Sequence, residues 1–317
     1  MDIDYLLFLQ GLREATGGFF DDFFLQITTY GEMPFMLLAL CVLYWCVDKA
    51  LGTYVLMGWS FNRVANGLIK TTACIYRPWI HNSALQPVES ALAKATGYSF
   101  PSGHTANAVS LFGGIAMRRG INMALRVGLI VITMLVGFSR NWLGVHTPQD
   151  VFVALVTGFA LMLLAGYIEK KLEAHPERDI IVAAIGVGVS LACMVYVTIK
   201  PYPMDYDSAG KLLVDPMKMV NDSYKNVGWA LGFFVGWVLE RRLVRFSVDG
   251  TVQQRFARAA CGLPIALLVN YTISDMIKAV VPGGIGSVVA CFVQIFFVVF
   301  IMPAIFKRFE RHTQSNA

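Results

Sequence analysis

The chain has 317 residues, of which 56% are hydrophobic and only 15% are charged. An ordinary soluble domain carries about 25% charged residues, and several apolar runs here approach or exceed the ~18 residues needed to cross a bilayer. The composition therefore excludes a soluble protein and predicts an all-α, polytopic membrane protein. The net charge of +5 is spread over short segments between the apolar runs, so no nucleic-acid partner is expected.

The cysteines do not form a recognisable metal or disulfide pattern. None lies in a CxxC motif or in a Cys/His pair with metal-ligand spacing, so we expect neither a zinc site nor a disulfide framework. We expect small, buried apolar residues at all six positions, which are Cys41, Cys46, Cys74, Cys193, Cys261 and Cys291. A cleavable signal peptide is not expected, because the first apolar stretch follows Asp2 and Asp4, the wrong charge for such a signal.

The first 32 residues are amphipathic and form the first of three predicted regions. Leu6, Leu7 and the Phe19-Phe20 pair share this stretch with several charged residues. The pattern predicts an interfacial helix that lies on the membrane and is broken near Gly17-Gly18. A plain surface helix is the alternative.

Nine membrane-spanning helices are predicted after this segment. Their approximate bounds are 33–48, 51–70, 103–118, 121–138, 149–168, 179–199, 223–240, 257–278 and 287–306. Lys and Arg concentrate in alternate connecting segments, and the positive-inside rule assigns those segments to the cytoplasm. The N-terminus is then outside and the C-terminus inside. Short loops and the lack of targeting signals favour a bacterial inner membrane, with the endoplasmic reticulum as the alternative.

Three short polar clusters interrupt the apolar chain, each at the non-cytoplasmic end of a predicted span. The first cluster is Lys70 with Arg77-Pro78. A separation of seven residues places Lys70 and Arg77 on one face of a continuous helix, which Pro78 ends. Both cations suit phosphate oxygens. Snorkelling of the two side chains towards lipid headgroups is the alternative.

The second cluster is Pro101-Ser102-Gly103-His104. Ser102 is a suitable N-cap for the third span, which leaves free N–H groups at the positive end of a helix, where anions bind. Gly103 removes a side chain where an oxygen must come close. An ordinary N-cap beside an uninvolved histidine is the alternative.

The third cluster is Ser139-Arg140, followed by His146 and Asp150. Pro148 suits the first helical position of the fifth span, and Thr147 suits its cap. Asp150 can then reach back to the Thr147 backbone, as in an acidic variant of a capping box. It can also reach the His146 ring and orient it, as a triad carboxylate does. The spacing permits both arrangements.

Together these clusters resemble the motifs of the type 2 phosphatidic acid phosphatase (PAP2) superfamily. The shared pattern is Lys-x6-Arg-Pro, Pro-Ser-Gly-His and Ser-Arg-x5-His-x3-Asp, and it covers about 80 residues. The resemblance implies a six-helix phosphatase core over roughly residues 33–199. It further implies that His146 is the nucleophile, oriented by Asp150, with His104 as general acid. The implied phosphate ligands are Lys70, Arg77, Ser102, Gly103 and Arg140. No metal or other cofactor is implied.

The third predicted region, residues 200–317, contains an outer loop, three additional spans and a short cytoplasmic tail. A nine-span plan with an external N-terminus resembles that of glucose-6-phosphatase. The stretch Lys225–Gly228, with Gly232 and Gly236 after it, is similar in kind to a late segment of that enzyme. Glycines four residues apart also allow helices to approach closely, so helix packing is the alternative.

Arg63 lies one heptad before Lys70 and so continues the same helix face. A charge at that depth in a membrane needs a partner. We expect a structural ion pair with Asp275 or Glu32. A role in the substrate pocket is the alternative.

The expected function is therefore the hydrolysis of a phosphate monoester or pyrophosphate, through a phosphohistidine, at the outer face of the membrane. A lipid phosphate is the first choice of substrate, because the polar clusters lie at headgroup depth. Hydrolysis of a small sugar phosphate and phosphoryl transfer between lipids are the alternatives. A transporter or lipid-binding scaffold is not favoured, because His104, His146 and Asp150 supply catalytic groups that binding alone does not need.

Overall fold

The computed structural model describes residues 2–315, and the side chains of residues 2–310. Within this range every regular element is helical, which confirms the all-α class. The helices are α1 (Asp2–Ala15), α2 (Asp21–Thr29), α3 (Met33–Val42), α4 (Lys49–Ala73), α5 (Pro78–His81), α6 (Glu89–Leu92), α7 (Gly103–Ala108), α8 (Gly114–Met117), α9 (Met123–Trp142), α10 (Pro148–Ala174), α11 (Asp179–Ile199), α12 (Pro216–Leu239), α13 (Val252–Leu268), α14 (Ser274–Val280), α15 (Gly283–Phe296) and α16 (Met302–Ser315).

Short π-helical turns continue five of these helices. They cover Leu43–Val47 after α3, Val109–Gly113 between α7 and α8, Glu240–Val244 after α12, Val269–Ile273 between α13 and α14, and Phe297–Ile301 between α15 and α16. Several of these helices are thus consecutive parts of longer helical stretches.

Five helical stretches in the described part of the chain are long and apolar enough to cross a membrane, and a bent pair raises the number to six. The five are Met123–Trp142, Pro148–Ala174, Pro176–Ile199, Val252–Val280 and Gly283–Glu310, and the bent pair is Asp21–Thr29 with Met33–Val47. The nine predicted spans are not confirmed, nor is the six-helix core. The run from Gly103 to Met117 is shorter than the ~18 residues required, and α4 carries Arg63 and Lys70 within its length.

The chain divides into two compact units. One unit contains residues up to 36, with 65–162 and 196–223, and the other contains residues 37–64, 163–195 and 224 onwards. The three predicted regions stay a prediction.

The N-terminal segment of the first unit forms two helices, separated by Gly17 and Gly18 in the left-handed conformation. The predicted break in this segment is confirmed. Leu6, Leu9 and Phe24 are buried in one cluster with Trp142, at the end of α9. One face of the segment thus packs against the protein, while several phenylalanines on the other face, including Phe8 and Phe19, are exposed. Its placement at a membrane interface stays a prediction.

In the second unit, three glycines of α12 pack against the stretch that begins with α15. A Cβ on Gly228 would lie 2.9 Å from Cβ of Cys291, and a Cβ on Gly232 would lie 3.2 Å from the carbonyl carbon of Phe292. A Cβ on Gly236 would lie 3.3 Å from the Phe296 ring. The glycines therefore serve close helix packing, the alternative that the sequence left open.

Buried ionic groups in this second unit have partners. Glu240 is fully buried and accepts hydrogen bonds from Nζ of Lys49 and from the backbone N–H of Phe246, both at 2.7 Å. Arg258 bonds Glu310 at 2.7 Å. These contacts fit the rule that a buried charge requires a hydrogen-bonded counter-charge.

Arg63 places its guanidinium carbon 4.7 Å from the centre of the Trp229 ring, a cation–π distance. Asp275, one of its two predicted partners, is bonded to Lys278 at 3.3 Å. The ion pair of Arg63 stays a prediction.

Among the cysteines, Cys41 and Cys291 are buried, whereas Cys261 is exposed, so the expectation of six buried cysteines is wrong at that position.

The glycine contacts generate a stability prediction. Gly232→Leu should lower the melting temperature of the purified protein in detergent, because a side chain there collides with the backbone of the neighbouring helix. The expected cost is about 1–3 kcal/mol, typical of overpacking. Gly188→Leu is the matched control, since nothing lies within 4 Å of a Cβ at that position. Equal melting temperatures for the two variants would contradict the packing assignment.

Candidate active site

The first polar cluster does not lie on one continuous helix. The helix α4 ends at Ala73, and Cys74 takes a left-handed conformation with φ of 50°. Arg77 then lies in extended backbone as the residue that precedes α5, and Pro78 is the first residue of that helix. The predicted shared helix face of Lys70 and Arg77 is therefore wrong. Tertiary contacts, not helical spacing, determine where the Arg77 side chain lies.

Lys70 holds the loop that leads into the second cluster. Its ammonium donates to the carbonyl oxygens of Tyr98 at 3.0 Å, Ser99 at 2.9 Å and Pro101 at 2.9 Å. An ammonium has three donors, and these bonds direct them to one stretch of backbone. The direct phosphate contact predicted for Lys70 stays a prediction.

The second cluster begins a helix as predicted. Ser102 caps α7, and its hydroxyl accepts hydrogen bonds from N–H and Oγ1 of Thr105 at 3.4 Å and 2.9 Å. A Cβ on Gly103 would find its nearest heavy atom 3.9 Å away, so an incoming oxygen has room beside this backbone. His104 follows on the first turn, close enough to Arg140, His146 and Arg77 to interact electrostatically.

The third cluster places Arg140 in the protein interior, with 3% of its surface exposed. Its Nη1 donates to the hydroxyl of Thr28 at 2.6 Å. Within the described residues its Nε has no hydrogen-bond partner. A buried guanidinium with an unused donor is suited to bind an oxyanion.

His146 and Asp150 form a buried pair in which both predicted alternatives occur together. One carboxylate oxygen of Asp150 lies 3.2 Å from Nδ1 of His146 and accepts the backbone N–H of Thr147 at 2.9 Å. The Thr147 hydroxyl accepts the backbone N–H of Asp150 at 3.3 Å, and α10 begins at Pro148, which confirms the predicted cap. Asp150 therefore caps its helix and orients the imidazole at once.

The two nitrogens of His146 have different environments. With Nδ1 on the carboxylate, the consistent assignment puts the proton on Nδ1 and leaves a lone pair on Nε2. Nη1 of Arg77 lies 2.9 Å from that Nε2 and 2.8 Å from the carbonyl oxygen of Val145. The Nε2 lone pair thus faces a cation.

Burial and the Arg77 cation lower the pKa of His146 below its ordinary value, while the Asp150 carboxylate opposes this shift. Burial also lowers the pKa of Arg77, to about 10, with Asp150 opposing. At neutral pH the imidazole is therefore uncharged and nucleophilic, and the guanidinium remains charged.

Sequence reasoning missed several residues of this site. The Ser99 hydroxyl, which is buried, donates to Asp150 and lies 3.3 Å from Nδ1 of His146. Asn141 donates to the carbonyl oxygen of His146 at 2.9 Å. Thr28 bonds Arg140, as described above. Ser99 precedes the second cluster by two residues and carries no motif signal, and Thr28 lies far from every cluster in the sequence.

The structure thus brings all three clusters together within one unit. The site combines two buried arginines, a capped helix start, an oriented imidazole and a second histidine. An uncharged imidazole among fixed cations can attack an electrophilic phosphorus and stabilise the charge on the transferring group. These features suit the transfer of a phosphoryl group.

Comparison with known families agrees with this class. Residues 49–174 match the family described as the PAP2 superfamily, and residues 224–314 match the PAP2 superfamily phosphatase, transmembrane extension. The two segments cover more than half of the chain. The protein belongs to the PAP2 superfamily and carries its transmembrane extension, which makes it an integral membrane protein.

Individual relatives match over shorter stretches. Phosphatidylglycerophosphatase B of Escherichia coli is 34% identical over 27% of this chain and 35% of its own length. An undecaprenyl-diphosphatase of Bacillus subtilis is 33% identical over 30% of this chain and 48% of its own. A probable sphingosine-1-phosphate phosphatase of Dictyostelium discoideum is 27% identical over 47% of this chain and 38% of its own. The chain thus spans between about a third and half of each of these relatives, and no solved structure matches it.

A prediction follows from the close approach of Gly31 to His104. A Cβ on Gly31 would lie 2.8 Å from the His104 carbonyl oxygen, so Gly31→Ala must displace the backbone that carries this histidine. Phosphatase activity should fall roughly 10- to 100-fold, as misplaced catalytic groups commonly cause. Gly11→Ala, which has nothing within 4 Å of its Cβ, should leave activity unchanged. Wild-type activity in Gly31→Ala would contradict the dependence of activity on the position of His104.

A second prediction concerns protonation of His146. Its NMR titration midpoint in detergent micelles should lie below the ordinary value of about 6.5, because burial and Arg77 disfavour the charged ring. Arg77→Met should raise the midpoint, and Asp150→Asn should lower it further. The signal is assigned by its loss in His146→Gln. A midpoint above 6.5, or shifts of opposite sign, would contradict this account.

Proposed function

We propose that this protein is a membrane phosphatase that hydrolyses the phosphate monoester or pyrophosphate of a lipid through a phosphohistidine at His146. The observation that carries the proposal is the different environment of the two His146 nitrogens. Nδ1 lies on the buried Asp150 carboxylate, and Nε2 faces Arg77. An imidazole held in this tautomer keeps its nucleophilic lone pair on Nε2, and a bound phosphoryl oxygen would take over the Arg77 donor and free that lone pair.

In the first step Nε2 of His146 attacks phosphorus, and the bond from phosphorus to the leaving oxygen breaks. His104 gives its proton to that oxygen, so that the product leaves as an alcohol or a lower phosphate. Asp150 stabilises the positive charge that develops on the His146 ring.

In the second step water attacks the phosphohistidine, and His104 takes a proton from that water. The phosphorus–nitrogen bond breaks, which releases inorganic phosphate and restores both histidines. A lipid alcohol in place of water would give phosphoryl transfer by the same residues.

The groups around the phosphorus stabilise the negative charge of the transferring phosphoryl group. Arg77 and Arg140 hold the phosphoryl oxygens, together with the backbone N–H at Gly103 and the capped helix start at Ser102. Lys70 supports them by holding the backbone from Tyr98 to Pro101. The unused Nε donor of Arg140 supports a further bond to the bound phosphoryl group.

A lipid phosphate is the favoured substrate. The relatives are named as a phosphatidylglycerophosphatase, an undecaprenyl-diphosphatase and, in Dictyostelium, a probable sphingosine-1-phosphate phosphatase, and each name denotes a lipid substrate. We assign the site to the non-cytoplasmic face from the distribution of Lys and Arg between the helices. A bacterial inner membrane with the N-terminus outside fits this assignment.

The first test is phosphate release by the purified protein in the presence of a chelator. The panel contains phosphatidic acid, phosphatidylglycerol phosphate, an isoprenyl pyrophosphate, sphingosine phosphate and glucose 6-phosphate. We expect metal-independent release from at least one lipid. Release from the sugar phosphate alone would favour the glucose-6-phosphatase-like alternative, and activity that the chelator abolishes would contradict the mechanism.

His146→Ala should reduce turnover of the preferred lipid by at least about 10³-fold, because the nucleophile is lost. His175→Ala is the matched control, since His175 is an exposed histidine outside the site and its loss should change nothing. Trapping with ³²P-labelled substrate should label the wild type and not His146→Ala. Near-normal phosphate release by purified His146→Ala would overturn the proposal.

His104→Ala should slow turnover most for substrates with poor leaving groups. Loss of a general acid commonly costs 10²–10⁴-fold, but an acidic phenol leaves without protonation. The measurement compares an alkyl phosphate with a nitrophenyl phosphate in wild type and variant. Equal losses on both substrates would show that His104 is not the acid.

A further inference from the structure

Arg140 depends on a residue far from the three motif clusters. Its Nη1 donates to the Thr28 hydroxyl at 2.6 Å, and both side chains are buried, with 3% and 5% of their surfaces exposed. A guanidinium has five donors and several rotatable bonds behind it. Fixing one donor on a rigid acceptor therefore determines the direction of the others.

The acceptor is held rigidly because α2 packs along α9, the helix that carries Arg140. The Phe24 ring lies 5.0 Å from that of Trp142 and 5.3 Å from that of Phe138, measured between ring centres. Nε1 of Trp142 donates to Asp21 at 2.8 Å. Both ends of α2 are thus attached to α9, one through Asp21 and the other through Thr28.

The turn after Thr28 is attached to other parts of the site. Asn107 of α7 donates to the carbonyl oxygen of Gly31 at 2.8 Å, and Gly31 lies against the backbone of His104. Glu32 bonds Lys94, in the segment before the second cluster, at 2.8 Å. Residues 28–32 therefore contact the elements that carry both Arg140 and His104.

We propose that Thr28 is a positioning residue for Arg140, and that the N-terminal segment is in this way a part of the phosphate-binding site. This segment precedes residues 49–174, which match the PAP2 superfamily. The Thr28 hydroxyl holds one donor of Arg140, which leaves the unused Nε donor for the bound phosphoryl oxygens. The inference rests on the proposed function only through the identity of the bound group, which is a phosphate.

The test uses inorganic phosphate as the probe, so that it does not depend on knowing the substrate. Its dissociation constant is measured by calorimetry on the full-length protein in detergent, for wild type, Thr28→Val and Thr28→Ser. We expect the dissociation constant to be roughly 10-fold larger in Thr28→Val, which is the effect of losing one hydrogen bond to a charged group. Thr28→Ser keeps the hydroxyl and should restore binding to within about 2-fold of wild type.

Two further variants separate positioning from a general structural effect. Thr29→Val is the matched control, because the Thr29 hydroxyl donates to the Gln26 carbonyl oxygen of its own helix and its loss should not affect binding. In an Arg140→Gln background, Thr28→Val should cause no additional loss, since its effect passes through Arg140. A full additional loss in that background would refute the proposal, as would unchanged phosphate binding by Thr28→Val.

Folding and function are checked in the same samples. If Thr28→Val does not yield folded protein, Thr28→Ala removes the same acceptor with less steric change, and the same 10-fold weakening is expected of it. Kinetics on the preferred lipid should show a raised KM with a smaller change in kcat. Failure of the wild type on the whole lipid panel would refute the proposed function alone, because phosphate binding and its dependence on Thr28 are measured without turnover.

Discussion

The site depends on one buried carboxylate. Asp150 accepts hydrogen bonds from the Thr147 backbone and the Ser99 hydroxyl, and its oxygen lies 3.2 Å from Nδ1 of His146. A carboxylate removed from water is stable only when such donors surround it. The same bonds start α10 at the right residue, hold the loop before the second cluster and select the tautomer of the histidine. The Asp150 carboxylate therefore serves both the local fold and the orientation of the histidine.

Around this carboxylate the site carries an excess of positive charge. Arg77 and Arg140 are both buried, and placing charges away from water is costly unless a counter-ion compensates them. Arg77 is partly satisfied by backbone carbonyls and by His146, and Arg140 by Thr28. A phosphate group, with two negative charges and several acceptor oxygens, would complete what these groups lack. Electrostatics thus favours the same ligand class as the family membership.

The extent of the site along the chain is wider than the motif region. Residues 28–32 reach Arg140, the His104 backbone and Lys94, although the matched PAP2 segment begins at residue 49. This N-terminal segment has exposed phenylalanines on one face and contacts with the site on the other. Its buried residues share one cluster with Trp142, at the end of α9.

Local features of this protein were determined by the sequence alone. The Ser102 cap, the helix start at Pro148 and the break at Gly17-Gly18 each involve groups within a few residues of one another, so local sequence is sufficient to predict them. The prediction that Lys70 and Arg77 share a helix face failed, because the chain leaves α4 at Cys74. The position of Arg77 then depends on tertiary contacts, which residue spacing does not encode. Only the tertiary structure decided that Ser99 bonds Asp150, 51 residues away, and that Thr28 bonds Arg140, 112 residues away. Such contacts depend on how the helices pack, and the packing energy is shared among many side chains that carry no local signal.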